Sequence, residues 1–91
     1  MKVLLFSNDG CGSCTKWKPI FLKLMEKYKL EYEIVNQYDT KNKELVDKYD
    51  VHGIPFTVFV DNSGNEIHSI LGNMVEELAD RDITHFVDNA D

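Results

Sequence analysis

The chain has few cysteines, few prolines and no long apolar run. Two cysteines and two prolines occur among 91 residues. No stretch approaches the roughly 20 apolar residues that a membrane-spanning helix needs, so none is predicted. The apolar run that begins at Val3 ends at Phe6. It is shorter than the apolar h-region of a signal peptide, which has about 7–15 residues. We therefore expect a cytosolic protein.

Positive charge is also scarce, and the histidines are few. Ten Lys and Arg stand against 16 Asp and Glu, for a net charge of −6, which argues against nucleic acid or an anionic membrane as the main partner. It suits a basic or neutral protein partner. His52, His68 and His85 have no ligand-like spacing to the cysteines, and a closed zinc site needs four ligands. We predict no metal and no other cofactor.

The apolar pattern predicts one α/β domain over residues 1–91, with the element order β-α-β-α-β-β-α. The first β-α-β unit gives a parallel pair with a right-handed crossover, and the last two strands form an antiparallel hairpin. A four-stranded mixed sheet flanked by three helices follows. The predicted strands cover 3–6, 31–35, 56–60 and 66–71; the predicted helices cover 12–29, 41–49 and a segment that starts after position 73.

Some positions carry finer expectations. Trp17 repeats with the apolar face of the first helix and is predicted to be buried, with a surface contact for a partner as the alternative. His68 is predicted to point outward from an edge strand. Asn73 is predicted to cap the last helix, with Glu76 completing a capping box. The buried stripe of that helix is predicted to contain Val75, Leu78, Ala79, Ile83, Phe86 and Val87.

The two cysteines form the motif Cys11-Gly-Ser-Cys14, at the predicted junction of the first strand and the first helix. A thiolate at a helix N-terminus is stabilised by unpaired N–H groups and by the helix dipole. Since structural disulfides are unusual in the cytosol, the pair is more naturally catalytic or metal-binding than structural. We predict that Cys11 attacks a partner disulfide and that Cys14 resolves the mixed disulfide. Gly12 and Ser13 would tune the site.

Three segments together resemble the thioredoxin-like superfamily. They are Cys11-Gly-Ser-Cys14 followed by Pro19, the run from Lys48 to Pro55, which is similar to K-Y-G-I-R-G-I-P, and Gly72 after the fourth strand. The resemblance covers nearly the whole chain and implies a minimal thioredoxin fold. It also implies a cis Pro55 and a substrate groove in which the Ile54 backbone pairs with an extended partner segment, with Gly53 and Gly72 on either side.

The chain departs from this pattern at several positions. It lacks the N-terminal strand and helix of thioredoxins and begins as glutaredoxins do. Gly10 replaces the tryptophan before the first cysteine, and Leu5 replaces a buried acidic residue. Glutaredoxins have Thr-Val-Pro and a Gly-Gly turn where this chain has Gly53-Ile-Pro and a single Gly72. It therefore resembles a glutaredoxin-sized scaffold with a thioredoxin-like docking surface.

The resemblance implies a thiol–disulfide oxidoreductase that reduces protein disulfides. Its partners would be disulfide-containing proteins and a recycling system, either a reductase flavoenzyme or glutathione, and the protein would be a monomer. One alternative is a glutathione-dependent glutaredoxin, which needs only Cys11. Another is a non-enzymatic binding module whose cysteines form a redox switch.

Overall fold

The computed structural model describes residues 1–89, with side chains described up to Val87, and has the predicted element order. Strands β3 and β4 have the predicted bounds, and most other ends differ by one or two residues. The predicted second helix is a short 3-10 turn, Thr40–Asn42, followed by an α-helix. The elements are β1 Lys2–Ser7, α1 Gly12–Lys27, β2 Glu31–Asn36, α2 Lys43–Lys48, β3 Phe56–Val60, β4 Glu66–Leu71 and α3 Glu76–Asn89.

The four strands form a mixed sheet in the order β2-β1-β3-β4. Strand β1 is parallel to β2 and antiparallel to β3, which is antiparallel to β4. In this register Ser7 pairs with Asn36, and Phe56 pairs with both Phe6 and Leu71. The loop after β1, the segment before β3 and the segment after β4 therefore leave the sheet at the same edge.

Strand β1 is apolar from Val3 to Phe6 because both of its faces are covered there. Val3 and Leu5 belong to a core with α1 and α3, where Trp17 and Phe21 are fully buried. The opposite face of β1 belongs to a second, smaller core beneath α2. No helix of the described residues is long and apolar enough to cross a membrane.

The outward orientation predicted for His68 is wrong. Its Nε2 lies 2.7 Å from Asp82 Oδ2 on α3, and its ring stacks on Phe86 at a centroid distance of 5.0 Å. Side chains two apart in a strand share a face, and Ile70 is buried beneath α3. His68 therefore lies on the same inner face and helps hold α3 to the edge strand.

The start predicted for the last helix is also wrong. Helix α3 begins at Glu76, and the Ala79 N–H donates to the Val75 carbonyl oxygen at 3.0 Å, so Asn73 lies outside the helix. Val75 precedes the first turn, and Leu78 lies about 100° around the helix from Ala79. Val75 and Leu78 were predicted to belong to the buried stripe, and this is wrong. They are 63% and 52% exposed, whereas Ala79 is buried.

Candidate active site at the start of the first helix

Cys11 and Cys14 are joined by a disulfide that spans the first turn of α1. Their Cα atoms are 5.2 Å apart. Cys11 is the N-cap residue, with an extended backbone (φ −92°, ψ 113°), and its Sγ accepts a hydrogen bond from the Cys14 N–H at 3.1 Å. The Thr15 N–H donates to the Cys11 carbonyl oxygen at 3.2 Å, which begins the helical hydrogen bonding. The sequence placed the pair at this junction, and the structure confirms it.

The two sulfur-bearing residues differ in accessibility. Cys11 is partly exposed, whereas Cys14 is 5% exposed and belongs to the buried set. At the N-cap, Cys11 Sγ lies where the first N–H groups of a helix have no intrahelical partner. This position stabilises negative charge on sulfur, so the arrangement suits an exposed nucleophile backed by a buried second thiol.

The two residues between the cysteines are open to solvent. A Cβ added to Gly12 would meet no heavy atom within 4 Å, and Ser13 is exposed. In the disulfide state the hydrogen-bond donor recorded at Cys11 Sγ is the Cys14 N–H. The tuning role predicted for Gly12 and Ser13 stays a prediction.

The predicted groove residues come together at the same edge of the sheet. The Ile54–Pro55 peptide bond is cis, as the resemblance implied. The Gly72 N–H donates to the Pro55 carbonyl oxygen at 2.8 Å, and Gly72 has a φ of +87° that glycine adopts without strain. A Cβ on Gly53 would lie 3.5 Å from Leu71 Cδ1. These contacts bring the segments before β3 and after β4 into one surface.

Leu71 belongs to this surface and was not predicted as part of it. Its side chain is 70% exposed, and it lies next to Gly72 in sequence and beside Gly53 in space. Val75, also exposed, follows a few residues later. In the sequence, the feature that could have identified Leu71 is an apolar residue at the end of an edge strand, directly before a glycine.

The core beneath the cysteines is apolar apart from one hydrogen-bonded pair. Leu5 is 1% exposed and pairs in register with Thr57 of β3. The Trp17 Nε1–H donates to Thr57 Oγ1 at 3.0 Å, and both residues are fully buried, which confirms the burial predicted for Trp17. Within the described part of the chain, every buried side-chain nitrogen or oxygen has a partner. At the position where thioredoxins bury an acidic residue, this core therefore has the apolar Leu5.

His52 and His68 contact acidic side chains rather than the cysteines. His52 is exposed beside Asp50, with 2.7 Å between Nε2 and Oδ1, and His68 lies against Asp82. Among the described side chains, no group of three or more His, Cys, Asp or Glu is arranged to hold a metal ion.

A β-α-β unit with a disulfide across the first turn of its helix, together with a cis proline directly before β3, defines a thioredoxin-like fold. The thioredoxin family model matches residues 1–87. The chain belongs to the thioredoxin family.

Sequence relatives include two plant proteins, both named thioredoxin-like protein HCF164, chloroplastic. The rice protein is 29% identical over 89 residues, covering 96% of this chain and 31% of the relative. The Arabidopsis thaliana protein is 31% identical over 74 residues, covering 79% of this chain and 28% of the relative. The chain thus spans less than a third of the length of these curated relatives.

Solved structures of thioredoxins share the whole fold. Thioredoxin 1 from Thermosipho africanus superposes with a TM-score of 0.79 at 19% identity, covering 97% of this chain and 96% of that one. Fasciola hepatica thioredoxin superposes with a TM-score of 0.76 at 27% identity, covering 92% of this chain and 78% of that one. The predicted α/β fold, a minimal thioredoxin fold, is confirmed.

Proposed function

We propose that this protein reduces disulfide bonds in other proteins, with Cys11 as the attacking thiolate and Cys14 as the resolving thiol. The observation that supports this most strongly is the position of Cys11, partly exposed at the N-cap of α1, with the Cys14 N–H directed at its sulfur. Cys14 is one turn further in and buried, where direct contact with a partner protein is restricted.

The reaction passes two electrons from the cysteine pair to the substrate. The Cys11 thiolate attacks one sulfur of the substrate disulfide, and the other sulfur leaves as a thiolate that takes a proton from water. The Cys14 thiolate then attacks Cys11 Sγ, which forms the intramolecular disulfide and breaks the mixed one. The second substrate sulfur leaves and is protonated, so the substrate gains two electrons and two protons.

The surface around Gly53, Pro55 and Gly72 is proposed to hold an extended segment of the substrate. An extended backbone can hydrogen-bond to an exposed main chain, here at Ile54, independently of its own side chains. Gly72 presents no side chain there, and a Cβ at this residue would point into open space. The exposed Leu71 side chain would contact apolar groups of the substrate.

Reduction of insulin in the presence of dithiothreitol tests the proposal. The protein is expected to accelerate precipitation of the insulin B chain well beyond dithiothreitol alone, and Cys11→Ser is expected to abolish this. Ser63→Ala, an exposed substitution in the turn between β3 and β4 at the opposite end of the sheet, serves as a control that keeps full activity. No acceleration by the unsubstituted protein would refute the proposal.

A glutathione mixed-disulfide substrate separates this proposal from the glutaredoxin alternative. Under the dithiol route, Cys14→Ser is expected to lose activity. Activity that survives Cys14→Ser would favour glutathione-dependent chemistry through Cys11 alone. Partner capture that persists with both cysteines changed to serine, without reductase activity, would favour a binding module.

The proposal also includes the setting expected from the sequence: a monomer in the cytosol, recycled by a reductase flavoenzyme or by glutathione. A net charge of −6 suits basic or neutral protein substrates. Sedimentation of the purified protein tests the monomer, and coupling to each recycling system in turn identifies the electron donor.

A further inference from the structure

Cys14 must lose a proton before it can attack, and the buried side chains named below do not accept one. The thiolate, not the thiol, is the nucleophile, and burial among apolar groups disfavours the thiolate. Towards the core, Leu5 and Trp17 are fully packed, and the Thr57 hydroxyl already accepts the Trp17 N–H. None of these three side chains is a base that could take the proton.

A cavity opens on another side of Cys14. It has a volume of about 400 Å³, and Cys14 forms part of its wall together with Ser7, Asn8, Asp9, Thr15 and Lys18. Asp9, Thr15 and Lys18 are exposed, so the cavity is open to solvent. Since a water molecule occupies about 30 Å³, the cavity has room for roughly a dozen. Water can therefore reach the buried cysteine from this side.

Two side chains of opposite charge line the cavity, and one lies directly above Cys14 on the helix. Lys18 is four residues after Cys14, and residues at i and i+4 are neighbours on one helix face. Asp9 lies in the turn that precedes α1. Among the described residues, neither side chain has an ion-pair partner within 4.0 Å. Both charges therefore act on the cavity without a close counter-ion.

We propose that Cys14 loses its proton to water in this cavity, and that Lys18 and Asp9 control this step with opposite signs. The Lys18 ammonium stabilises the Cys14 thiolate, and the Asp9 carboxylate destabilises it. Both are positioning residues that act through the solvent of the cavity. In the step itself the S–H bond of Cys14 breaks and its proton passes to water. The sulfur then bonds to Cys11 Sγ and the mixed disulfide breaks, leaving the electron pair on the departing thiolate.

This inference rests on the order of attack proposed above, and a small neutral disulfide isolates its second step. Reduced protein mixed with excess dithiodipyridine releases one thiopyridone when Cys11 attacks and a second when Cys14 resolves. The first release depends on reagent concentration, whereas the second is intramolecular and does not. Cys14→Ser is expected to release only the first equivalent in a fast phase.

The pH profile of the second release tests the proposal. At pH values below the midpoint, Lys18→Gln is expected to slow the second release about threefold, and Asp9→Asn is expected to accelerate it about threefold. The effects are modest because water and salt screen the interaction of exposed charges with the sulfur. The midpoint should move up in the first variant and down in the second. Lys18→Arg should restore the original profile, and added salt should shrink both effects.

Lys16→Gln is the matched control, because Lys16 is exposed on the same helix but two residues from Cys14 and absent from the cavity wall. Its second phase should match that of the unsubstituted protein. Midpoints that move in the same direction in Lys18→Gln and Asp9→Asn, or that do not move, would overturn the proposal. Opposite shifts without insulin reduction would support this proton route while refuting the proposed protein substrate.

Discussion

The Trp17 indole N–H donates to the Thr57 hydroxyl across 3.0 Å, in a fully buried contact between α1 and β3. Trp17 comes three residues after Cys14, and Thr57 comes two residues after Pro55. The bond therefore joins the helix that carries the cysteines at its start to the strand that directly follows the cis proline. It is a buried polar contact between the element that carries the cysteines and the strand next to the proposed groove.

Thr57→Val is expected to destabilise the protein by about 1–3 kcal/mol, because it leaves a buried indole N–H without an acceptor. Trp17→Phe should cost about 2–4 kcal/mol, since it leaves the hydroxyl unpaired and creates a cavity. Urea denaturation followed by circular dichroism measures both.

The double variant Trp17→Phe/Thr57→Val is the more specific test of this bond. Because neither group is then left without a partner, its cost should fall short of the summed single costs by about 1 kcal/mol or more. Thr40→Val, at an exposed threonine, should change stability by less than about 0.5 kcal/mol. Strict additivity would show that the hydrogen bond contributes nothing.

Gly72→Ala is expected to destabilise the protein by about 1 kcal/mol, because the residue has a φ of +87° that non-glycine residues disfavour. Its methyl group would also project into the proposed substrate groove and lower kcat/KM for insulin reduction. Gly10→Ala is the control for adding a methyl near the cysteines, since Gly10 is exposed, has no left-handed φ and would bring its Cβ only to an ordinary 3.7 Å contact with Asn8. The account would be wrong if both alanine variants kept the same stability and activity.

Leu5→Asp is expected to destabilise the protein by about 3–5 kcal/mol at neutral pH, because it puts a carboxylate without a partner into a position that is 1% exposed. Leu5→Asn has nearly the same shape without the charge. The extra cost of aspartate over asparagine should disappear on acidification, as the carboxyl becomes protonated. An aspartate variant as stable as the unsubstituted protein would show that this core accepts charge.

The fold was predictable because its signals are local and repeated. The apolar run of β1 required burial on both faces, and β3 and β4 were predicted with their observed bounds. The site itself was predictable for the same reason, since both cysteines lie within one helical turn.

The features that were predicted wrongly or missed depend on contacts between distant segments. His68 contacts Asp82 and Phe86 of α3, which lie 14 or more residues further along the chain. Leu71 became part of the groove through its contact with Gly53. Spacing alone shows that Lys18 shares a face with Cys14, but the cavity needs the turn before α1 to complete its wall.

A cluster of hydrogen-bonded side chains between α1 and α3 makes the stability of the protein depend on pH in the acid range. Lys27 donates to Asp80 at 2.6 Å, and Tyr28 and Thr84 also hydrogen-bond to this carboxylate. These interactions, that of Lys27 foremost, hold the pKa of Asp80 below its usual value. A carboxyl with a lowered pKa adds stability above its unfolded-state pKa and loses it as pH falls through the folded-state value.

Asp80→Asn is therefore expected to reduce stability at neutral pH and to flatten the acid limb of the stability profile. Lys27→Met should do much the same, because it removes the largest cause of the shift, and the double variant should add little further. The same pair raises the pKa of Lys27, so its contribution should fade as pH rises through that value. Urea midpoints across the pH range measure this, and an unchanged acid limb in Asp80→Asn would contradict the assignment.

The most direct test of the central claim is to identify the sulfur that first bonds to a substrate. Reduced Cys14→Ser and Cys11→Ser are each incubated with a disulfide-bonded protein such as insulin, and the covalent adducts are mapped by mass spectrometry. We expect a stable mixed disulfide through Cys11 in Cys14→Ser and almost none in Cys11→Ser. An equal yield of adduct through Cys14, or no adduct in Cys14→Ser, would contradict the claim.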